Sequence, residues 1–484
     1  MGCCGSDNNL RSFLEISYDQ LEELNLEAKD KVRNGIKPDS LKDYYLKYLT
    51  DERRLKAVTV CFTDIEGRLH MLDYDKKFLL KSYDNLTFDG SSIRGFTAVK
   101  ESDLRLSIDW GSFRWLPSDV FGPGKVLVFG LINDRDGSPY SSDMRCVLKT
   151  YSESLLAKQE LVANIACEVE GFLFEGQNAE QNFNEMTGFK FVSQGGYYNA
   201  LPCDPLKLFI DRFAEAKRAL GFENEKDHPE VAPSQFELNY TYVDALMAAD
   251  QVQLYKLIAR QVASNMGYTS SFLPKPVAGI NGSGMHTNIS LSKRGHNIFF
   301  DKAGEEGLSN AAWNFVDRLL SNAEAVCLAL NPSVNAYRRL DPHFEAPNQI
   351  SASAVDRTSM VRIPIGNQKS ARVEVRTVAP DANPYLAFYT LIKAGLEGAV
   401  HPSITPATRK IKSKTLPTDI YSAMEHFGAS SFITEAIGES NQRKYVEVKR
   451  RSADRCPREL GTHVKTGEVL FHHEVTNQSL WGRF

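Results

Sequence analysis

Glu168 and Glu170 stand one residue apart in "CEVEGFLFEG", a stretch that is otherwise apolar and strand-like. Side chains alternate faces along a strand, so positions i and i+2 point the same way. Two carboxylates then lie side by side near Phe172 and Phe174. Burying unpaired charge is costly, so the pair needs a cation. Three further fragments carry similar groups. In "HPEVAPSQFEL", Glu230 and Glu237 bracket a proline-containing turn. In "NGSGMHTNISL", His286 follows a glycine-rich bend and opens a strand. In "SARVEVRTVAP", Glu374 and Arg376 share a strand face. Taken singly, each fragment reads more simply as a solvated strand edge or an ordinary core or surface histidine. Together, Glu168, Glu170, Glu230, Glu237, Glu374 and His286 form an oxygen-rich ligand set with one imidazole. That set suits Mg²⁺ or Mn²⁺ better than a thiolate-seeking zinc site. Two divalent cations would neutralise most of its charge.

Arginine is the second theme. "NAYRRLDPHFEAPNQ" holds Arg339 and Glu345, and "DRTSMVRIPIGNQKSARVEVR" holds Arg357, Arg362, Lys369, Arg372 and Arg376. Arginine suits bidentate recognition of carboxylate and phosphate. Apolar residues between these bases (Met360, Val361, Ile363, Pro364, Ile365) imply partial burial, so the run reads as a phosphate-handling wall. Neither a Walker A loop nor G-x-G-x-x-G occurs, so any bound ATP does not sit on a P-loop.

The elements that must position these groups follow from periodicity. Leu10 to Tyr48 carries a helical period, a lead-in spanning 1–50. "AVTVCFTDIEGRLHMLDY" reads as a hairpin about an acid–glycine turn, "FDGSSIRGF" as a loop and "GKVLVFGLIN" as a strand, giving a small β-rich domain over 51–135. From 136 to 484, long helices alternate with strands in a larger α/β or α+β domain. Helices are expected at 204–221 and 241–267, strands at 163–175, 284–292 and 370–376. "HPSITPATRKIKSKTLPTD" reads as a loop, and the segment beginning "YSAMEHFGASSF" as helical.

The chain has 484 residues, a formal net charge of −4 and 42% hydrophobic residues. No basic face advertises nucleic acid as a partner. There is no apolar run long enough to span a membrane and no cleavable leader pattern, and the eight cysteines show no C-x-x-C repeat. These features point to a cytoplasmic protein with reduced thiols. The start, "MGCCGS", matches the acylation pattern M-G-x-x-x-[ST] through Gly2 and Ser6. It reads otherwise as a disordered start.

In order, the segments "FDGSSIRGF", "CEVEGFLF", "GGYY", "HPEVAPSQFE", "NGSGMHTNISL", "RRLDPHFEAPN", "DRTSMVRIPIG", "KSARVEVR" and "DANPYLAFYTLIKAGLEG" resemble glutamine synthetase of the type common in prokaryotes. They run from about Val58 to Val400. The resemblance implies an α+β fold: an N-terminal β-grasp domain and a catalytic domain built on a curved sheet backed by helices. It implies stacked-ring homo-oligomers, usually dodecamers, with sites between neighbouring subunits. The implied reaction joins ammonia to glutamate at the expense of ATP, through γ-glutamyl phosphate.

By motif, the resemblance places Glu170, Glu230 and Glu237 on one metal and Glu168, His286 and Glu374 on a second. It places Asn281, Gly282, Arg339, Glu345, Arg357 and Arg376 at glutamate, and Glu225, Asn288, Ser290, Arg362, Lys369 and Arg372 at ATP. Asp89, Ser92, Tyr197 and Glu230 would form the ammonium pocket. Glu345 would lie on a flap that shields the acyl phosphate, and Arg357 would stabilise the transferring phosphoryl group. The helical lead-in is longer than the family usually shows. Asn288 stands where some members carry a second histidine. The loop at "HPSITPATRKIKSKTLP" has no clear "NLYDLP" adenylylation segment. Two other readings stay open: a γ-glutamylamine ligase, disfavoured by retention of Asp89 and Ser92, and a non-catalytic relative, disfavoured by the complete ligand set and Arg357.

Overall fold

A computed structural model describes residues 16–93, 95–96, 103–179, 188–341 and 346–454. Gly2, Ser6 and Glu345 lie outside the described residues. The lead-in is two helices, α1 (Tyr18–Arg33) and α2 (Pro38–Asp51). Ser17 and Gln20 form a capping box at the start of α1, which satisfies two of the orphan N–H groups there. Gly35, at φ +70, and Pro38 at the first turn of α2 separate the two. Both pack on the small domain: Leu21, Ala28, Leu41, Tyr45 and Leu49 share a core with Phe113 and Trp115. Tyr45 stacks on Phe113 at 4.2 Å. The buried Lys29 donates to the Gly221 carbonyl at 2.7 Å, so α1 is also fastened to the larger half.

The small domain contains β1 (Ala57–Thr63), β2 (Leu69–Asp75), α3 (Lys76–Ser82), β3 (Leu86–Asp89), β4 (Asp103–Trp115), α4 (Ser118–Phe121) and β5 (Lys125–Asn133). Among the described residues its sheet has the order β2-β1-β5-β4-β3. β1 and β2 form the expected antiparallel hairpin, while β1 and β5 run parallel. The β1–β2 turn plugs into the larger half: Gln253 donates to the Gly67 carbonyl at 2.9 Å, and Lys449 pairs with Glu66 at 2.9 Å.

The larger half follows as α5 (Met144–Gln159), β6 (Leu161–Glu175), α6 (Pro205–Ala219), β7 (Asn224–Pro229), β8 (Gln235–Tyr240), β9 (Val243–Asp244), α7 (Ala245–Asn265), β10 (Tyr268–Ser271), β11 (Met285–Lys293) and β12 (His296–Asn297). Then come α8 (Asn310–Ser321), α9 (Ala323–Leu330), α10 (Val334–Arg339), β13 (Gln349–Ser353), β14 (Ser359–Arg362), β15 (Val373–Val375), α11 (Pro384–Glu397), α12 (Ile420–Ala429), α13 (Ser431–Ile437) and α14 (Glu439–Ala453). The curved sheet runs β13-β14-β15-β11-β6-β8-β7, with β9 and β10 joining β6 and β12 joining β11. Helices α5, α6, α7 and α11 back it and fill the main core. Among the described residues no helix is long and apolar enough to cross a membrane.

Two elements differ from expectation. The helix expected from 241 begins at Ala245, because Val243 and Asp244 pair with β6 and the Asp244 carboxylate caps the helix by accepting the Met247 N–H. The strand expected to reach 376 ends at Val375, so Arg376 lies just past it.

Candidate active site

The 15-residue strand β6 builds the floor. Leu161, Ala163, Ile165, Cys167 and Val169 point into the main core. The alternate residues Asn164, Ala166, Glu168 and Glu170 therefore face the concave side, as the i, i+2 spacing requires. Gly171 follows because a Cβ there would come within 2.6 Å of the Phe236 ring. β11 lies antiparallel to β6 with His286 opposite Glu168 and Ser290 opposite Asn164. β15 sets Glu374 opposite Asn288, and β8 sets Glu237 opposite Glu170. Strand register alone thus gathers four acids and one imidazole from distant parts of the chain.

His286 Nδ1 lies 3.4 Å from Glu168, 3.8 Å from Glu170 and 3.9 Å from Glu374. Glu374, only 1% exposed, is held by Arg362 at 2.9 Å and Arg376 at 3.4 Å. Glu170 accepts the Gly284 N–H at 2.8 Å. Gly284 has no room for a side chain, since a Cβ would stand 2.5 Å from Arg339 Nη2 and 2.9 Å from His286 Nε2. Among the described residues, three overlapping groups could hold a cation: Glu168, His286 and Glu374; Glu170, Glu237 and His286; His228, Glu230 and Glu237. Within each, the ligand atoms lie no more than 4.8 Å apart.

The electrostatics fit a cation. Burial pushes the Glu170 carboxyl up against the pull of the His286 charge, and the neighbouring Glu237 charge adds to the rise. Burial, then the charges of Glu170 and Glu237, push Glu230 up to about 7. Burial acts upward on Glu168 too, but its hydrogen bond with His286 and the imidazole charge prevail and bring it down to about 2. Crowded carboxylates of this kind are what a hard divalent cation relieves.

A cavity of about 500 Å³ opens over this floor. It brings together every expected metal-ligating residue with Tyr197, Asn281, Gly282, Arg339, Arg357, Arg362 and Arg376. A second cavity of about 460 Å³ adjoins it, lined by Glu225, Asn288, Ser290 and Lys369. Glu168, Lys226 and Arg372 line both. Asp89 and Ser92 line neither. They close on each other at the end of β3, where the Asp89 carboxylate accepts Ser91 N–H and Oγ–H and the Ser92 hydroxyl at 2.6–2.9 Å.

Sequence reasoning missed His228, Lys226 and Gln235. His228 is buried, with Nε2 3.5 Å from Glu237 and Nδ1 donating to the Pro229 carbonyl at 3.1 Å. Its i, i+2 spacing from Glu230 was the available signal. Gln235 donates to the Gly282 carbonyl at 3.0 Å, beside Glu170. No local pattern marks it.

Residues 54–131 match the family model for the glutamine synthetase β-grasp domain, and residues 141–464 that for the glutamine synthetase catalytic domain. The chain is 36% identical over 420 residues to a glutamine synthetase of Methanosarcina mazei, covering 83% of this chain and 92% of that one. It is 36% identical over 432 residues to one from Thermus thermophilus, covering 84% and 94%. A solved structure of a GmaS/ADP complex superposes with a TM-score of 0.75 at 25% identity, covering 87% of this chain and 98% of that one. With sheet order, ligand constellation and both domain matches in agreement, the chain belongs to the glutamine synthetase family.

Proposed function

We propose that this protein joins ammonia to L-glutamate with ATP, releasing L-glutamine, ADP and phosphate through γ-glutamyl phosphate. The observation that carries the reading is the pair of adjoining cavities sharing Glu168, Lys226 and Arg372. One offers the acid–imidazole floor and an arginine wall; the other offers Glu225, Asn288, Ser290 and Lys369 to a nucleotide. That pairing suits a phosphoryl group passing from a nucleotide to a carboxylate, a reaction governed by positioning and charge neutralisation. Mg²⁺ or Mn²⁺, two or more per site, would be held by Glu168, His286 and Glu374 and by Glu170, Glu230 and Glu237, and would supply charge neutralisation at the phosphates. Arg339 and Arg376, with Asn281 and Gly282, orient the glutamate carboxylate. Arg357, Arg362 and Arg372 face the phosphates. Glu345 is read as the flap acid that keeps water from the acyl phosphate, which hydrolyses if wetted.

Ammonium requires a pocket that binds a cation and then takes its proton. Tyr197 and Glu230 provide half of one. Asp89 and Ser92 would complete it from a neighbouring copy in a stacked-ring homo-oligomer, read here as a dodecamer. The enzyme is read as cytoplasmic, in keeping with its free cysteines, among them Cys61, Cys146, Cys167, Cys203 and Cys327.

The GmaS likeness favours testing a second reading, a γ-glutamylamine ligase. ADP release with glutamate is measured against ammonium, methylamine and a panel of larger amines. Ammonium is expected to give the highest kcat/KM and glutamine as product. A larger value with any amine would overturn the ammonia assignment in favour of the ligase.

A further inference from the structure

The segment 405–416 is a loop, as expected, and it runs along the open edge of β13. The Ala352 N–H donates to the Arg409 carbonyl at 2.8 Å, the Ile350 N–H to the Lys414 carbonyl at 2.9 Å, and the Leu416 N–H to the Asn348 carbonyl at 2.8 Å. Its basic side chains meet acids from elsewhere. Arg409 is buried, stacked 3.6 Å over the Trp313 ring and paired with Asp317 and Glu305. Lys410 pairs with Glu305, Lys414 with Glu324 and Lys412 with Asp356.

The Lys412 contact lies closest to the site. β13 leads to β14 through 354–358, the turn that presents Arg357 to the cavity. Asp356 organises that turn. One carboxylate oxygen accepts the Thr358 N–H at 2.9 Å and its hydroxyl at 2.8 Å, and the other takes Lys412. The Asp356 N–H itself donates to the Ser353 hydroxyl at 3.0 Å. Arg357 is exposed and lacks a buried seat of its own, so its reach is set by the residue before it.

We propose that Lys412 is a positioning residue: through Asp356 it ties the Arg357 turn to the brace 405–416, which the Arg409–Trp313 stack anchors. The inference rests on the reading of Arg357 as a phosphate-facing group. Lys412 and Asp356 are 46% and 30% exposed, and an ion pair of that kind adds little to global stability. A small displacement of a charged group from the transferring phosphoryl lowers turnover steeply. The two effects therefore separate.

The test is Lys412→Met in the full-length protein, with Lys412→Arg as the conservative variant and Lys414→Met as a control on the far side of the brace. For Lys412→Met, kcat is expected to fall about tenfold. KM for glutamate and Mn²⁺ affinity should stay within about twofold, and Tm should hold. Amide exchange at 354–358 should quicken. Lys412→Arg should recover most of the turnover, and Lys414→Met should behave as wild type. Asp356→Asn should reproduce the Lys412→Met loss, and the double variant should be no worse than either single one. This second variant decides the matter if Lys412→Met fails to fold. Unchanged kcat and exchange in Lys412→Met, or losses that add in the double variant, would overturn the proposal. If the wild-type protein shows no ligase turnover, the functional reading falls by itself, and the exchange rates at 354–358 alone decide whether Lys412 sets the turn.

Discussion

Replacing Glu170 by glutamine is expected to move stability in opposite directions with and without divalent cations. Glu170 is buried, and its carboxylate lies with those of Glu237 and the His286 ring inside a 4.8 Å circle of ligand atoms. Two full charges at that separation repel by about 3 kcal/mol at an effective dielectric constant near 20. Burial adds to that cost while the charges of His286 and Arg339 offset part of it, so the expected gain on removing the charge is about 1–3 kcal/mol. Glutamine keeps an oxygen to accept the Gly284 N–H, now at 2.8 Å, so shape and that bond survive. Chelator-treated Glu170→Gln should therefore be more stable to urea than chelator-treated wild type. Wild type with free metal at a hundredfold excess over Kd gains about 2.7 kcal/mol by linkage, and the variant should lose most of that gain. Urea titrations with chelator and with graded Mn²⁺, alongside Mn²⁺ spin resonance, read both arms. The reasoning fails if the metal-free variant is less stable than wild type, or if Mn²⁺ stabilises both proteins equally.

Two further outcomes are expected. Asp143 is buried at the start of α5 and accepts the Ile132 N–H at 2.8 Å; burial carries its carboxyl from 3.8 up to about 6 despite such bonds. The folded form then binds more protons than the unfolded chain between those values, so stability should fall by about 2 kcal/mol as pH rises from 3.8 to 6. Asp143→Asn should flatten that slope in pH-stepped urea melts. For assembly, Asp89→Ala and Glu374→Ala should each be nearly inactive, while subunits dissociated, mixed and reassembled should regain about a quarter of their sites. Native mass spectrometry that shows mixed oligomers without recovered glutamine synthesis would refute site sharing.

Much of the floor was legible because strand alternation is a local rule. Glu168 and Glu170 had to share a face, and His286 and Glu374 sat in runs whose apolar partners marked the opposite face. The same rule could not say which strands would be neighbours. His228 escaped notice because its one local signal, the i, i+2 spacing from Glu230, is broken by the proline between them, and only the β7–β8 pairing brings it to Glu237. The helix start at Ala245 was missed because two residues of β9 intervene, too few to show a period. "RKIKSK" read only as part of a loop, since acids it pairs with stand 90 and 104 residues away at Glu324 and Glu305. The Arg409–Trp313 stack left no trace in the local sequence.

The central place of β6 has a consequence for how the chain comes off the ribosome. Glu168 is made 118 residues before the imidazole that faces it, and Glu374 comes later still. The strand therefore waits, apolar on one face and acidic on the other, through the synthesis of α6, α7 and the hairpin of β7 and β8. Contacts this distant in sequence form slowly and leave strand edges unprotected meanwhile. Wherever two such strands meet before β11 is made, the like charges of Glu168 and Glu170 oppose their pairing.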